Sequence, residues 1–135
     1  MKSPFSVLLI EDDHASTVVA STMLMQKGYE VICVENGRDG LEVAQSDGAD
    51  LIVLDLNLPL FSGQQFLNAR SQCEVLKGIP CIVTSAHAQQ SYIDDAKKLG
   101  ANHYFTKPLD WHRIIPIIED LLAKEPAFDL AKSAV

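Results

Sequence analysis

Five short apolar runs recur along the chain, and each is followed by a segment with helical spacing. The runs span residues 5–10, 29–34, 51–54, 81–84 and 102–105. They are rich in Val, Ile and Leu without clean alternation of apolar and polar residues, which is typical of strands buried on both faces. Strict alternation of strand and helix predicts a parallel sheet covered by helices on both faces and joined by right-handed crossovers.

The segments between the runs predict five helices. The apolar positions of the first helix are Ala15, Val18, Val19 and Met23. Gly28 follows them and is a natural helix stop. The next three helices are marked by Leu41 and Ala44, by Phe66, Leu67 and Ala69, and by Ile93, Ala96 and Leu99.

The last predicted helix covers residues 111–123 and contains a proline. Asp110 directly precedes it, at a position where an aspartate side chain commonly caps a helix. Pro116 removes a backbone hydrogen bond inside the helix at a cost of about 3 kcal/mol, so we expect a kink or a late start. Residues 124–135 are too few for a domain and are expected to be frayed helix or disorder. The sequence therefore predicts one domain over residues 1–123 and a short tail.

Composition narrows the function classes. The 135 residues are 47% apolar and 21% charged, which is typical of a globular protein. A net charge of −7 argues against direct binding to nucleic acid or acidic membranes, which requires a basic surface. No apolar run approaches the roughly 20 residues of a membrane helix, and the N-terminal segment lacks the pattern of a signal peptide. We therefore expect a cytoplasmic protein.

The three cysteines show neither the pairing of a disulfide framework nor the spacing of a zinc site. Cys33 and Cys81 fall within apolar runs. Both are therefore expected to be small buried hydrophobic residues.

Polar residues collect where the predicted strands end. The ends carry Glu11-Asp12-Asp13, Asp55, Thr84-Ser85 and Thr106-Lys107. In an open parallel sheet these ends form one edge, where ligands bind. Clustered carboxylates repel one another, by roughly 4 kcal/mol for a pair about 4 Å apart, so they raise a pKa or recruit a cation. Two or three carboxylates with room for water and phosphate suit Mg²⁺, and an added hydroxyl and lysine can hold a phosphoryl group.

In this order and spacing, the strand-end residues closely resemble the receiver domain of two-component response regulators. The resemblance runs from Phe5 to about Ala123. Further matches are Leu58-Pro59 and Gly63 after the aspartate, then Gly100-Ala101 and the run from Tyr104 to Pro108. The resemblance implies a flavodoxin-like (βα)5 fold, a doubly wound parallel five-stranded sheet with strand order 2-1-3-4-5.

The resemblance implies that Asp55 is the phosphoacceptor and attacks the phosphorus of a phosphohistidine on a partner kinase. Asp12 and Asp55 are then expected to bind Mg²⁺ directly. The backbone carbonyl of Asn57 is implied as a third protein ligand, and Glu11 is implied to act through a bound water.

The same resemblance assigns roles after phosphoryl transfer. Lys107 pairs with Asp55 before transfer and with the phosphoryl group afterwards. Ser85 moves toward the phosphoryl oxygen, which lets Tyr104 rotate inward as a population shift between two packings. Asn57 and His87 occupy the variable positions that tune autodephosphorylation in the family.

Several residues also have ordinary structural explanations. Asp13 is expected to cap the first helix; if the first strand were one residue longer, the acidic pair would shift to Asp12 and Asp13.

A haloacid-dehalogenase-like phosphatase also phosphorylates an aspartate after a buried strand, but it has a second acid where this chain has Asn57. A pseudo-receiver that acts only as a binding scaffold predicts a missing acid, hydroxyl or lysine, and none is missing.

The sequence thus predicts a single-domain response regulator without turnover of an independent substrate. Its expected partners are a sensor histidine kinase or histidine phosphotransfer protein and a downstream protein target, bound through the surface formed by helix 4, strand 5 and helix 5. We single out a less acidic tip of that surface, made of Lys97, Lys98, His103, His112 and Arg113. Chemotaxis-like motor control, a phosphorelay intermediate, partner regulation and a receiver cut from a longer chain all stay open.

Overall fold

A five-stranded parallel sheet forms the centre of the computed structural model, with strand order β2-β1-β3-β4-β5. The predicted doubly wound fold and its strand order are therefore confirmed. The structure describes residues 4–134, with side chains described for residues 4–123. The elements are β1 (Ser6–Ile10), α1 (His14–Gln26), β2 (Glu30–Val34), α2 (Gly37–Ser46), β3 (Leu51–Asp55), α3 (Gly63–Ser71), a 3₁₀ turn (Leu76–Gly78), β4 (Cys81–Ser85), α4 (Gln90–Lys98), β5 (His103–Thr106) and α5 (Trp111–Ala134).

The core lies in two layers, one on each face of the sheet. In β1, alternate side chains point to opposite faces, so Leu8 joins one layer and Leu9 the other. The first layer is closed by α2, α3 and α4, through residues such as Phe66. The second is closed by α1 and α5, through residues such as Ile118. A strand whose two faces are both covered reads as a continuous apolar run, which explains the pattern in the sequence.

Side-chain caps fix the starts of four helices. Asp13 caps α1 as predicted, because its carboxylate accepts a hydrogen bond from the Ser16 N–H at 2.9 Å. Hydrogen bonds from Ser16 also hold the pKa of the Asp13 carboxyl below its usual value. Asn36 caps α2, and Ser62 forms a capping box at the start of α3. Asp110 caps α5 as predicted, since it accepts from the His112 N–H at 3.1 Å.

The two outer strands, β2 and β5, are less buried than the sequence predicted. Strands β1, β3 and β4 are buried almost throughout, but β2 and β5 are only partly buried because each has one strand neighbour. Cys33 lies on the outer strand β2 and is exposed, so the expectation of its burial is wrong. Cys81 is buried in β4, and burial raises the pKa of its thiol to about 12.

Two expectations about helices are also corrected. Helix α1 buries Ala20 and Leu24, whereas Val18 and Val19 are 48% and 53% exposed. Helix α5 begins at Trp111 and continues through Pro116, so of the expected kink or late start, the late start does not occur. The tail predicted at residues 124–135 lies outside the residues whose side chains the structure describes. Within the described part of the chain, no helix is long and apolar enough to cross a membrane.

Arg70 is a buried cation that the sequence pattern did not predict. Its side chain is 2% exposed and donates to the backbone carbonyl of Ile79 through Nε and Nη2. It also donates to the carbonyls of Lys77 and Gly100, both at 3.4 Å. Three carbonyl oxygens therefore replace the water that the guanidinium loses on burial. Arg70 joins α3 to the loops before β4 and before β5.

Candidate functional site

The carboxyl edge of the sheet carries all four polar groups singled out in the sequence. Both β3 and β4 are one residue longer than predicted and end at Asp55 and Ser85 themselves. The hydrogen-bond ladder continues past the strand ends: the Glu11 N–H donates to the Val34 carbonyl at 3.0 Å, and the Lys107 N–H donates to the Ser85 carbonyl at 2.8 Å. The sheet backbone therefore fixes the positions of these residues relative to one another.

Three carboxylates meet at the centre of this edge. The oxygens of Glu11, Asp12 and Asp55 lie within 4.8 Å of one another, the one such group among the described side chains. Glu11 and Asp55 are 5% and 4% exposed, whereas Asp12 faces solvent. Burial, together with the neighbouring Asp55 carboxylate, raises the pKa of Glu11 to about 7. The arrangement thus places negative charge where water screens it poorly, and a cation relieves the repulsion.

Lys107 supplies one positive charge to this group. Its Nζ donates to Glu11 Oε1 at 3.1 Å and to Asp55 Oδ2 at 3.3 Å. Burial of the ammonium opposes its charge, but attraction to Asp55 and Glu11 outweighs burial and raises the pKa of Lys107. One lysine does not balance three acids, so the described site keeps a capacity for a further cation.

The loop from β3 to α3 wraps around Asp55. The Asn57 N–H donates to Asp55 Oδ1 at 3.1 Å, which places the Asn57 backbone beside the carboxylate. The Gly63 N–H donates to the Leu56 carbonyl at 3.0 Å and closes the loop. A Cβ at Gly63 would lie 2.5 Å from the Leu56 Cα, so only glycine permits this close approach. This packing explains the glycine that follows the aspartate by eight positions.

Leu60, at the tip of the same loop, is a strained residue that the sequence did not indicate. Its φ of 59° lies in the left-handed region that a leucine rarely adopts. The Phe61 N–H donates to the Pro59 carbonyl at 2.8 Å, which closes a tight three-residue turn around Leu60. The Leu60 side chain is 76% exposed. No core packing therefore accounts for the strain.

The loop from β4 to α4 links the two predicted switch residues. Ser85 is fully buried, and its Oγ accepts a hydrogen bond from the His87 N–H at 3.0 Å. The Tyr104 hydroxyl donates to the His87 carbonyl at 2.7 Å, and its ring packs against the first core layer. The His87 ring stacks on Tyr92 with ring centroids 4.2 Å apart. Tyr92 was not singled out in the sequence, because only the fold brings it to His87.

The chemistry of these donors fits Mg²⁺. Asp12, Asp55 and the Asn57 backbone offer oxygen atoms only, which are the ligands of a hard cation. No thiol or imidazole belongs to the described acidic group. A buried carboxylate, oxygen ligands suited to a divalent cation and a lysine are the parts of a phosphoryl-transfer type of site, where position and charge do most of the work.

Comparison with known proteins places the chain in a family. Residues 7–119 match the model of the response regulator receiver domain, and the chain belongs to that family. It is 29% identical over 119 residues to the polar-differentiation response regulator DivK of Brucella anthropi, covering 88% of this chain and 97% of DivK. It is 27% identical over 117 residues to protein PilH of Pseudomonas aeruginosa, covering 87% of this chain and 97% of PilH.

A solved structure bears on the metal. The receiver domain of sensor histidine kinase PA1611 from Pseudomonas aeruginosa PAO1, solved with a magnesium ion coordinated in its active-site cleft, superposes with a TM-score of 0.83 at 26% identity. The match covers 90% of this chain and 99% of that one. The predicted resemblance to receivers is thus confirmed, and a haloacid-dehalogenase-like phosphatase is not favoured. Receivers are signalling proteins of two-component systems, and this chain carries an acidic cluster at the carboxyl edge of its sheet.

Proposed function

We propose that Asp55 accepts a phosphoryl group from a phosphohistidine of a sensor kinase or histidine phosphotransfer protein. The observation that carries the proposal is the buried Asp55 carboxylate, with Lys107 at 3.3 Å and two further acids within 4.8 Å. In the reaction an Asp55 oxygen forms a bond to phosphorus while the P–N bond to histidine breaks. The histidine nitrogen keeps the electron pair of the broken bond. The imidazole leaves neutral when its other nitrogen carries a proton; otherwise the leaving nitrogen takes a proton from solvent.

The proposal includes Mg²⁺ as the cofactor. Asp12, Asp55 and the Asn57 backbone carbonyl hold the ion, and Glu11 contributes through a bound water. Bound Mg²⁺ supplies positive charge for the phosphoryl oxygens during transfer. The pKa of Glu11 is raised mainly by burial and further by the neighbouring Asp55 carboxylate, and a cation would offset the part that comes from Asp55.

After transfer, Lys107 pairs with the phosphoryl group, and the Ser85 hydroxyl donates to a phosphoryl oxygen. Movement of Ser85 then acts on Tyr104 through the loop that carries His87, in keeping with the hydrogen bonds from His87 N–H and to its carbonyl. Asn57 and His87 flank the site and tune hydrolysis of the phosphoaspartate. The chain undergoes phosphorylation and dephosphorylation but turns over no independent substrate.

The phosphorylated chain is proposed to act by binding a protein target in the cytoplasm, where its kinase has access to ATP. The proposed surface is formed by α4, β5 and α5. Its tip carries the exposed cations Lys97, Lys98 and Arg113, beside His103 and His112. Because the rest of the chain is acidic, this tip suits an acidic segment of a target. Alanine substitutions at the tip that leave target binding unchanged would remove this part of the proposal.

Intact mass spectrometry tests the phosphoacceptor directly. The protein is incubated with Mg²⁺ and acetyl phosphate, beside a metal-free sample. A gain of one phosphoryl group that requires Mg²⁺ and is lost in Asp55→Asn supports the proposal. Asp47→Asn, at an exposed aspartate following α2, is the matched control and keeps the gain. A gain that persists in Asp55→Asn assigns the phosphate to another residue and overturns the proposal.

A further inference from the structure

His87 is a point where three contacts of the switch loop meet. Its backbone N–H binds Ser85 Oγ at 3.0 Å, and its backbone carbonyl accepts from the Tyr104 hydroxyl at 2.7 Å. Its ring lies parallel to that of Tyr92, with an interplanar angle of 6°. His87 joins the side chains of Ser85 and Tyr104 through its backbone alone, whereas its ring contacts a residue outside the phosphoryl site. Tyr92 has no role in the switch expected from the family resemblance.

The start of α4 makes this ring contact important. Gln89 is the N-cap residue of α4 and makes no side-chain cap hydrogen bond, in contrast to the capped starts of α1, α2 and α3. Tyr92 lies in the first turn of α4, where its N–H donates to the Gln89 carbonyl at 3.1 Å. A helix start without a cap is held less firmly by its own sequence. The stack on His87 satisfies no backbone N–H, but it attaches the first turn of α4 to the preceding loop through a side-chain contact.

The position of Tyr104 indicates which of the two arrangements of the switch the His87–Tyr92 contact favours. Its ring is half-buried against the first core layer while its hydroxyl binds the His87 carbonyl. This inward position is the one expected to accompany phosphorylation. A contact that holds His87 in place thus favours the inward position of Tyr104.

We propose that the His87–Tyr92 stack is a positioning contact that couples the phosphoryl site to the start of α4 and favours the arrangement with Tyr104 inward. The inference rests on the proposed function and adds Tyr92 to its regulation. A contact made in one arrangement and lost in the other biases the equilibrium by its own free energy. Aromatic stacking contributes a modest free energy, so loss of the contact is expected to weaken the binding of ligands that prefer the arrangement with Tyr104 inward by roughly twofold to tenfold.

Beryllofluoride, a phosphoryl mimic, tests the proposal without a kinase. Its binding in the presence of Mg²⁺ is followed by ¹⁹F NMR for wild type, Tyr92→Leu and Tyr92→Phe. Tyr92→Leu raises the half-saturating concentration roughly twofold to tenfold, while Tyr92→Phe keeps a stacking ring and stays within about twofold of wild type. Tyr29→Leu is the matched control, because Tyr29 packs against the second core layer on the other face of the sheet. The Tyr29→Leu protein is expected to bind beryllofluoride as tightly as wild type does.

Two further readouts separate positioning from general damage. The His87 ring-proton shifts carry the ring-current signature of a stacked partner in wild type, and Tyr92→Leu removes it. The affinity for Mg²⁺ alone is expected to be unchanged in Tyr92→Leu, because Tyr92 is not a member of the acidic group. An absent ring-current signature in wild type, unchanged beryllofluoride binding in Tyr92→Leu, or an equal loss of Mg²⁺ affinity overturns the inference. Wild type that binds no beryllofluoride with Mg²⁺ overturns the proposed function itself, and the inference with it.

Discussion

Replacing Lys107 by methionine is expected to destabilise the metal-free protein while tightening its binding of Mg²⁺. The ammonium lies 3.1 Å and 3.3 Å from two buried carboxylates. At an effective dielectric constant near 20, each attraction is about 5 kcal/mol before the cost of burying the lysine is subtracted. Lys107 is 25% exposed, which screens part of this energy. Breaking buried pairs typically costs about 3–5 kcal/mol, so we expect the free energy of unfolding to fall by about 2–4 kcal/mol.

A double-mutant cycle isolates the cause of this loss. Asp55→Asn removes one partner of Lys107 and also the repulsion between Asp55 and Glu11, so Lys107→Met costs less in that background. The coupling is expected to exceed about 1 kcal/mol, as for residues of one ion-pair network. Urea unfolding with a metal chelator measures each variant, with fluorescence of Trp111, the single tryptophan, as the probe. Lys27→Met at an exposed lysine is the control and stays near wild type.

Lys107→Met is expected to raise the affinity for Mg²⁺, although it lowers the free energy of unfolding. Removing a positive charge beside Glu11 and Asp55 leaves the acids less neutralised, so Mg²⁺ is expected to bind more tightly to Lys107→Met. A Mg²⁺ titration of wild type and variant measures the change. Additive effects in the cycle to within about 0.5 kcal/mol, or weaker Mg²⁺ binding by Lys107→Met, would refute the electrostatic reasoning.

Three further predictions concern stability. The pKa of Glu11 is about 7 in the folded protein and 4.5 for the free side chain, so between these pH values the native state binds more protons than the unfolded state. The free energy of unfolding of the metal-free protein is therefore expected to fall as pH rises from about 4.5 to about 7. Glu11→Gln removes this pH dependence in urea titrations that contain a chelator. Leu60→Gly relieves the left-handed backbone and gains about 0.5–1 kcal/mol in thermal or urea unfolding, whereas Leu60→Ala, which keeps a Cβ, gains nothing. Arg70→Met leaves the Ile79 carbonyl without its donor and is expected to lower the free energy of unfolding by about 3 kcal/mol, as measured by urea unfolding. Arg70→Lys should recover part of this loss. A loss below about 1 kcal/mol in Arg70→Met would contradict the role of the buried guanidinium.

The sequence predicted the fold and the place of the site because both depend on local pattern and order. Runs of Val, Ile and Leu between helical segments indicate a parallel sheet wherever the strands finally lie. Asp55, Ser85 and Lys107 each follow such a run, and parallel strands bring their carboxyl ends to one edge. Connectivity alone therefore brought the polar groups together, without knowledge of any side-chain contact.

What the sequence did not predict depends on packing. Helix α1 is apolar or small on several sides, so spacing alone does not decide whether Val18 or Ala20 faces the sheet. Burial of Cys33 was wrong because its strand lies at the edge, a property of strand order and not of local composition. Arg70 and Leu60 are single residues whose partners or dihedral angles arise only when distant loops meet. No periodic signal marks such positions.

The outer strands β2 and β5 also affect how copies of the protein behave together. Each ends the sheet and has one edge that no neighbouring strand pairs within the described part of the chain. An open edge invites pairing with another molecule, which proteins resist with short strands and charge. Here the edges are five and four residues long, and the net charge of −7 makes copies repel one another. Net-charge repulsion vanishes near the isoelectric point of about 4.9, so any self-association is expected to be strongest in mildly acidic solution.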